Sequence, residues 1–149
     1  AAKTMFNLER FLTAQASCYS NVLQELRSGR KTTHWMWFIF PQFRGLGSSP
    51  TTRFYAIGSL EEAAAYLRHP VLGQRLLECV GIINALPASD PETIFGPVDA
   101  LKLCSSLTLF ELVAEEKTPF RTALDKFYNG VRDQRTLGLL QQTGDFTGG

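Results

Sequence analysis

Apolar positions recur every three or four residues along most of the chain, a spacing that lines one face of an α-helix and predicts helices nearly throughout. Leu8, Phe11, Leu12, Tyr19, Val22, Leu23 and Leu26 keep to it, so the spacing predicts one long amphipathic first helix, with Asn7 available as a cap and Gly29 as the stop. The pattern then breaks. From His34 to Phe40 the side chains run apolar without alternation, which predicts a short buried helix ended by Pro41, because proline removes a backbone donor. The stretch Gln42 to Pro50, with Gly45, Gly47, Ser48 and Ser49, reads as a loop. Arg53 to Ile57 forms a short element whose type the pattern leaves open. Ser59 followed by Glu62 is a capping box and predicts a helix over 60–68. Pro70 starts the next helix, which turns Leu72, Leu76, Cys79, Val80 and Ile83 inward and ends before Pro87. Asp90 and Pro91 cap a one-turn helix that stops at Gly96, and Pro97 opens a second long helix. Its Leu101, Leu103, Cys104, Leu107, Thr108, Phe110 and Leu112 make it apolar on most sides, as for a central helix. Further helices are predicted over 118–128 and 133–140.

These elements predict an all-α fold, mainly helical: a compact single-domain bundle of about six to eight helices, several of them short. One domain over 1–149 is expected, with short flexible ends at about 1–5 and 141–149. Composition agrees. A hydrophobic share of 44% with 19% charged residues suits a core-forming chain. A net charge of +1 supplies no general field for nucleic acid or an anionic membrane, so neither is an expected partner, and a protein partner is not legible. Three cysteines, Cys18, Cys79 and Cys104, sit apart among apolar neighbours and read as reduced thiols, which places the expected location in the cytoplasm. No run is long enough for a membrane span, and the first residues lack the pattern of a signal peptide.

The chemistry must come from polar residues set among apolar ones. Two histidines and three scattered cysteines offer no paired ligand spacing, so neither a metal nor a cofactor is expected. There is no phosphate-loop signature and no nucleophile elbow. Lys102, Ser105 and Ser106 lie three and four residues apart on the central helix and can share one face. A lysine in such surroundings can hold an anion or activate a hydroxyl. His34 enters the aromatic run with an imidazole that can serve as a general base, while Arg30, Lys31 and Trp37 put cations beside an aromatic face, a pairing that binds flat anions. Gln42 and Arg53 border the same stretch.

The stretches GRKTTHWMWFIFPQ, GLGSS, YLRHPVLGQRL and IFGPVDALKLCSSLTLF, in that order, resemble the domain of unknown function 1810 family, from Phe6 to Leu140. The resemblance implies a small, mainly helical domain and no established activity. The label calpastatin-like, sometimes given to such proteins, implies an inhibitor that is disordered when free, whereas this composition forms a core. Ile94, Phe95 and Gly96 followed by the helix of Lys102 and Ser106 also resemble, distantly, helical proteins that process ADP-ribose derivatives, with Phe95 where those have Trp.

The leading expectation is a cleft lined by His34, Gln42, Arg53 and Lys102 that binds a small anionic, nucleotide-like ligand, with Arg30, Lys31, Trp37, Ser105 and Ser106 as further contacts. Whether the protein is an enzyme stays open. A hydrolase or glycosidase acting on a nucleotide or ADP-ribose-type compound would use His34 and Lys102 as its catalytic residues. A protein-interaction module would instead expose the aromatic segment from Trp35 to Phe43 as an anchor patch.

Overall fold

Helix-forming periodicity becomes nine helices, without a strand, among residues 6–143, the part of the chain described by the computed structural model. They are α1 (Glu9–Ala16), α2 (Tyr19–Arg27), α3 (Met36–Ile39), α4 (Pro50–Tyr55), α5 (Leu60–Arg68), α6 (Leu72–Ala85), α7 (Pro91–Val113), α8 (Thr118–Tyr128) and α9 (Gln134–Thr143). α7 is the centre, packed on α5, α8, α9 and α3, while α6 closes the layer against α5, α8 and α2. Phe11, Tyr66, Phe110 and Phe120 form an aromatic column through it, with Phe11 edge-on to Tyr66 at 5.0 Å.

The single first helix that the spacing predicts is two. Cys18 leaves the helical region at φ −137°, which turns the chain so that α1 packs on α3 and α2 on α6. A periodic apolar stripe cannot report such a bend, because each half keeps the same spacing. Asn7 does not cap α1. Leu8 occupies that position without a side-chain bond, and the Arg10 guanidinium ties the helix start to the carbonyls of Asn7, Phe54 (2.7 Å) and Ala56 (2.9 Å). Gly29 does terminate α2, at φ 74°.

The short element near Arg53 is α4, started by Pro50 and capped by the Ser49 hydroxyl, which accepts from the Thr52 N–H at 3.1 Å. At α5 the Ser59 hydroxyl accepts from the Glu62 N–H at 3.1 Å, but the Glu62 carboxylate reaches past Ser59 to the Gly58 N–H (2.8 Å) and also takes Arg10 at 3.0 Å. The capping pair thus anchors α1 as well as α5. The break at Gly96 falls where Pro97 predicts it, with φ 82°. Beyond it α7 is not packed all round as a central helix would be, since Leu101 is 67% exposed. α9 runs through Thr143, so residues 141–143 are helical where the sequence predicts a loose tail. The rest of that tail, 144–149, and the expected loose start over 1–5 lie outside the described residues.

Candidate functional site

One buried carboxylate fixes the turn between α2 and α3. Glu25 accepts hydrogen bonds from the N–H groups of Thr32 (2.7 Å) and Thr33 (3.0 Å), the Thr33 hydroxyl (2.5 Å), the Trp35 indole (3.0 Å) and the Asn21 amide (2.6 Å). Burial pushes its pKa up, but the donors outweigh that and hold the carboxyl at about 2. On the far side the Lys31 N–H donates to the Ile94 carbonyl at 2.8 Å, two residues before the Gly96 break in α7. Lys31 and His34 therefore project from a turn bound on two sides.

Along α7 lie two adjoining pockets, the lobes of one cleft: the first between that turn and α7, the second between the 42–52 segment, α7 and the start of α9. The first lobe, about 300 Å³, is lined by Lys31, His34, Trp37, Phe95, Pro97 and Asp99. The second, about 200 Å³, is lined by Gln42, Gly47, Thr52, Ser105, Asp133 and Arg135. Val98 and Lys102 belong to both.

Charge in the first lobe is arranged around Asp99. One of its oxygens lies 2.8 Å from the Lys31 Nζ and the other 3.7 Å from the Lys102 Nζ. The Lys31 side chain is 6% exposed and that of Lys102 is 23% exposed. Each ammonium also sits over an indole, Lys31 at 5.1 Å from the Trp35 ring centre and Lys102 at 4.9 Å from that of Trp37. Two cations thus share one carboxylate, and Lys102 at 3.7 Å is beyond hydrogen-bond range of it. Its N–H donors can serve an incoming anion.

In the second lobe Asp133 accepts from the Ser105 hydroxyl (3.0 Å) and caps α9 through the Thr136 N–H (3.0 Å) and hydroxyl (2.5 Å). Arg135 donates to the Leu46 carbonyl at 3.1 Å. The Gln42 side-chain amide, which lines this lobe, has no protein partner among the described residues, so its donor and acceptor are unused.

Of the residues the sequence singles out, Lys31, His34, Trp37, Gln42, Lys102 and Ser105 line this cleft. Three do not. Arg30 is exposed outside both lobes, because the turn held by Glu25 directs Lys31 inward instead. Arg53 is exposed on α4, whose Thr52 faces the cleft. Ser106 is buried in the core with its hydroxyl unpaired, since one residue along a helix turns the side chain by about 100°. Of the expected loop, Leu46 and Gly47 contribute. The expected anchor patch is not there: Trp35 and Phe43 are each 1% exposed, spent on the core, and Trp37 alone of the three is half-buried.

Sequence reasoning missed Glu25, Asp99, Asp133 and Arg135. Asp99 carried a signal, its spacing of three from Lys102, whereas Arg135 carried none. Among the described residues no group of three or more His, Cys, Asp or Glu side chains could hold a metal ion, and no helix is long and apolar enough to cross a membrane. No disulfide forms among the described residues, and burial pushes the Cys79 thiol up to about 12, far from a reactive thiolate.

Comparison with known proteins adds kinship without an activity. The crystal structure of the conserved hypothetical protein Rv1873 from Mycobacterium tuberculosis superposes with a TM-score of 0.90 at 54% sequence identity, over 93% of this chain and 99% of that one. None of the curated proteins matches. The family described as Protein of unknown function (DUF1810) matches residues 5–140, which is nearly the whole chain. The chain belongs to that family.

Proposed function

We propose that this protein recognises a small anionic molecule with a flat ring, of the nucleotide type, in the lobe between α3 and α7. One observation carries the reading: Lys31 and Lys102 converge on a single carboxylate, Asp99, with their ammonium groups over Trp35 and Trp37. The pair leaves net positive charge at the mouth of a cleft whose half-buried wall is an indole. Lys102 supplies the charge-assisted hydrogen bonds, Trp37 the ring face, and His34 at the rim orients the ligand.

Thermal unfolding with AMP, GMP, CMP, UMP and inorganic phosphate tests it. A ligand that binds the folded chain raises the melting temperature by mass action, by about 2.7 kcal/mol of stability at a hundred times its Kd. At least one nucleotide is expected to raise it more than phosphate does, and Lys102→Ala is expected to weaken that ligand about tenfold, the scale of one charge-assisted hydrogen bond. No shift with any nucleotide at millimolar concentration, or an unchanged Kd in folded Lys102→Ala, overturns the reading.

A further inference from the structure

We infer that the ligand carries its negative charge in the middle, as a phosphodiester or pyrophosphate, with a flat ring on one arm and a hydroxylated group on the other; a nucleoside diphosphate joined to a sugar is the class. This rests on the anion reading above and goes beyond it in using the second lobe. Lys102 stands on the saddle between the lobes with Val98, and it is the cation that both lobes share. An anion held there has a cavity on each side. A compound ending in its phosphate fills one lobe and leaves the other to water.

The charges on either flank argue the same way. The first lobe holds Asp99 and Lys31 and the second Asp133 and Arg135, so the fixed charges of each arm cancel, and Lys102, the cation common to both, is left over between them. An excess positive charge at the shared residue alone favours a ligand with a charged centre and uncharged arms. The two arms also differ in chemistry. Trp37, Phe95 and Pro97 wall the first and suit a ring, whereas the second offers the unpaired Gln42 amide, the Ser105 hydroxyl and the Asp133 carboxylate, which suit hydroxyls. Volume agrees as well. At about 300 and 200 Å³, one lobe is at the floor of the range usual for small-molecule sites and the other is below it, so a ligand of ordinary size needs both.

Calorimetric titration of the full chain with ADP-ribose and UDP-glucose, and with AMP and UMP as their one-lobed counterparts, tests the inference. At least one two-armed compound is expected to bind ten or more times tighter than its monophosphate. Gln42→Ala is expected to weaken that compound about tenfold and its monophosphate less than twofold, and Trp37→Leu to weaken both, with circular dichroism confirming that each variant is folded. Equal affinity for a two-armed compound and its monophosphate, or equal loss of both in Gln42→Ala, overturns the inference and leaves the anion reading standing. If none of the four binds, the inference falls, and the anion reading falls with it when GMP and CMP also give no shift.

Discussion

Replacing Glu25 by Gln keeps the shape of the side chain and removes its charge, and the consequence can be worked from the five donors around it. A carboxylate offers only acceptors, which matches the N–H groups of Thr32 and Thr33, the Thr33 hydroxyl, the Trp35 indole and the Asn21 amide. Gln must point an NH₂ at some of them. The native carboxyl lies at about 2 against an ordinary 4.5, and at ~1.4 kcal/mol per unit that difference corresponds to about 3 kcal/mol of stability. The sign follows from the lowered value. The contribution is complete above the unfolded pKa and is lost as pH falls through the folded one, so about 2 kcal/mol of it is gone by pH 3. Urea unfolding, followed by ellipticity at pH 7 and pH 3, should show Glu25→Gln less stable by about 2–3 kcal/mol at pH 7, with the gap to the native chain at least halved at pH 3. A gap under about 0.5 kcal/mol at pH 7, or one that does not change with pH, refutes the account of how the Lys31–His34 turn is held.

Two glycines of α6 should respond in opposite directions. A β-carbon at Gly73 would overlap the backbone of Leu67, lying 2.7 Å from its carbonyl carbon, so Gly73→Ala should cost about 3 kcal/mol or more in urea unfolding; a loss under about 1 kcal/mol would mean that α5 and α6 can part cheaply. Gly81 is exposed in the same helix with nothing within 4 Å of such a carbon, so Gly81→Ala should raise stability by about 0.5–1 kcal/mol, and a lower melting temperature would contradict this. Glu111 is buried and takes a two-pronged bond from Arg132, at 2.9 and 2.6 Å, and a longer one from Arg121, and Arg132 foremost holds its carboxyl below the ordinary range. Glu111→Gln should cost about 2–3 kcal/mol at pH 7 and progressively less as pH falls below the usual carboxylate range, again by urea unfolding; no loss at pH 7 would show the cluster to be ornamental to stability.

How far the fold could be read follows from what periodicity measures. It reports which face of a helix is buried, so α6 and α8 follow from Leu72, Leu76, Cys79, Val80 and Ile83, and from Phe120, Leu124 and Phe127, all of which are buried. It does not report the direction of the axis. The bend at Cys18 was therefore invisible, whereas the break at Gly96 was marked by the proline that follows it. Caps were legible at Ser59 and Asp90, where a side chain accepts from an N–H two or three residues on, whereas the bonds that Arg10 of α1 donates to the carbonyls of Phe54 and Ala56, more than forty residues along the chain, were not. Such pairings leave no trace in local spacing.

The cleft was half legible for a related reason. A polar residue in an apolar stretch announces that it will be near the core, and Lys102, His34, Gln42 and Ser106 all meet that description. It does not say whether the group meets a cavity or a wall. Ser106 met the wall, and its hydroxyl is left unpaired in the core. What separates them is geometry generated elsewhere. The turn at Gly96 starts the long arm of α7 beside the Lys31–Trp35 turn, and the side chains on the side that faces the turn, Val98, Asp99 and Lys102, meet it across an open cleft. Ser106 lies one residue beyond Ser105 and turns inward. Asp99 makes the distinction sharper, because a carboxylate on the cleft-facing side is what keeps two lysines together near the core without mutual repulsion. A lysine four residues from an apolar neighbour is common; a lysine with a carboxylate one turn before it, on a helix restarted by Gly-Pro, is the more informative pattern, and both parts were present in the sequence as Gly96, Pro97, Asp99 and Lys102.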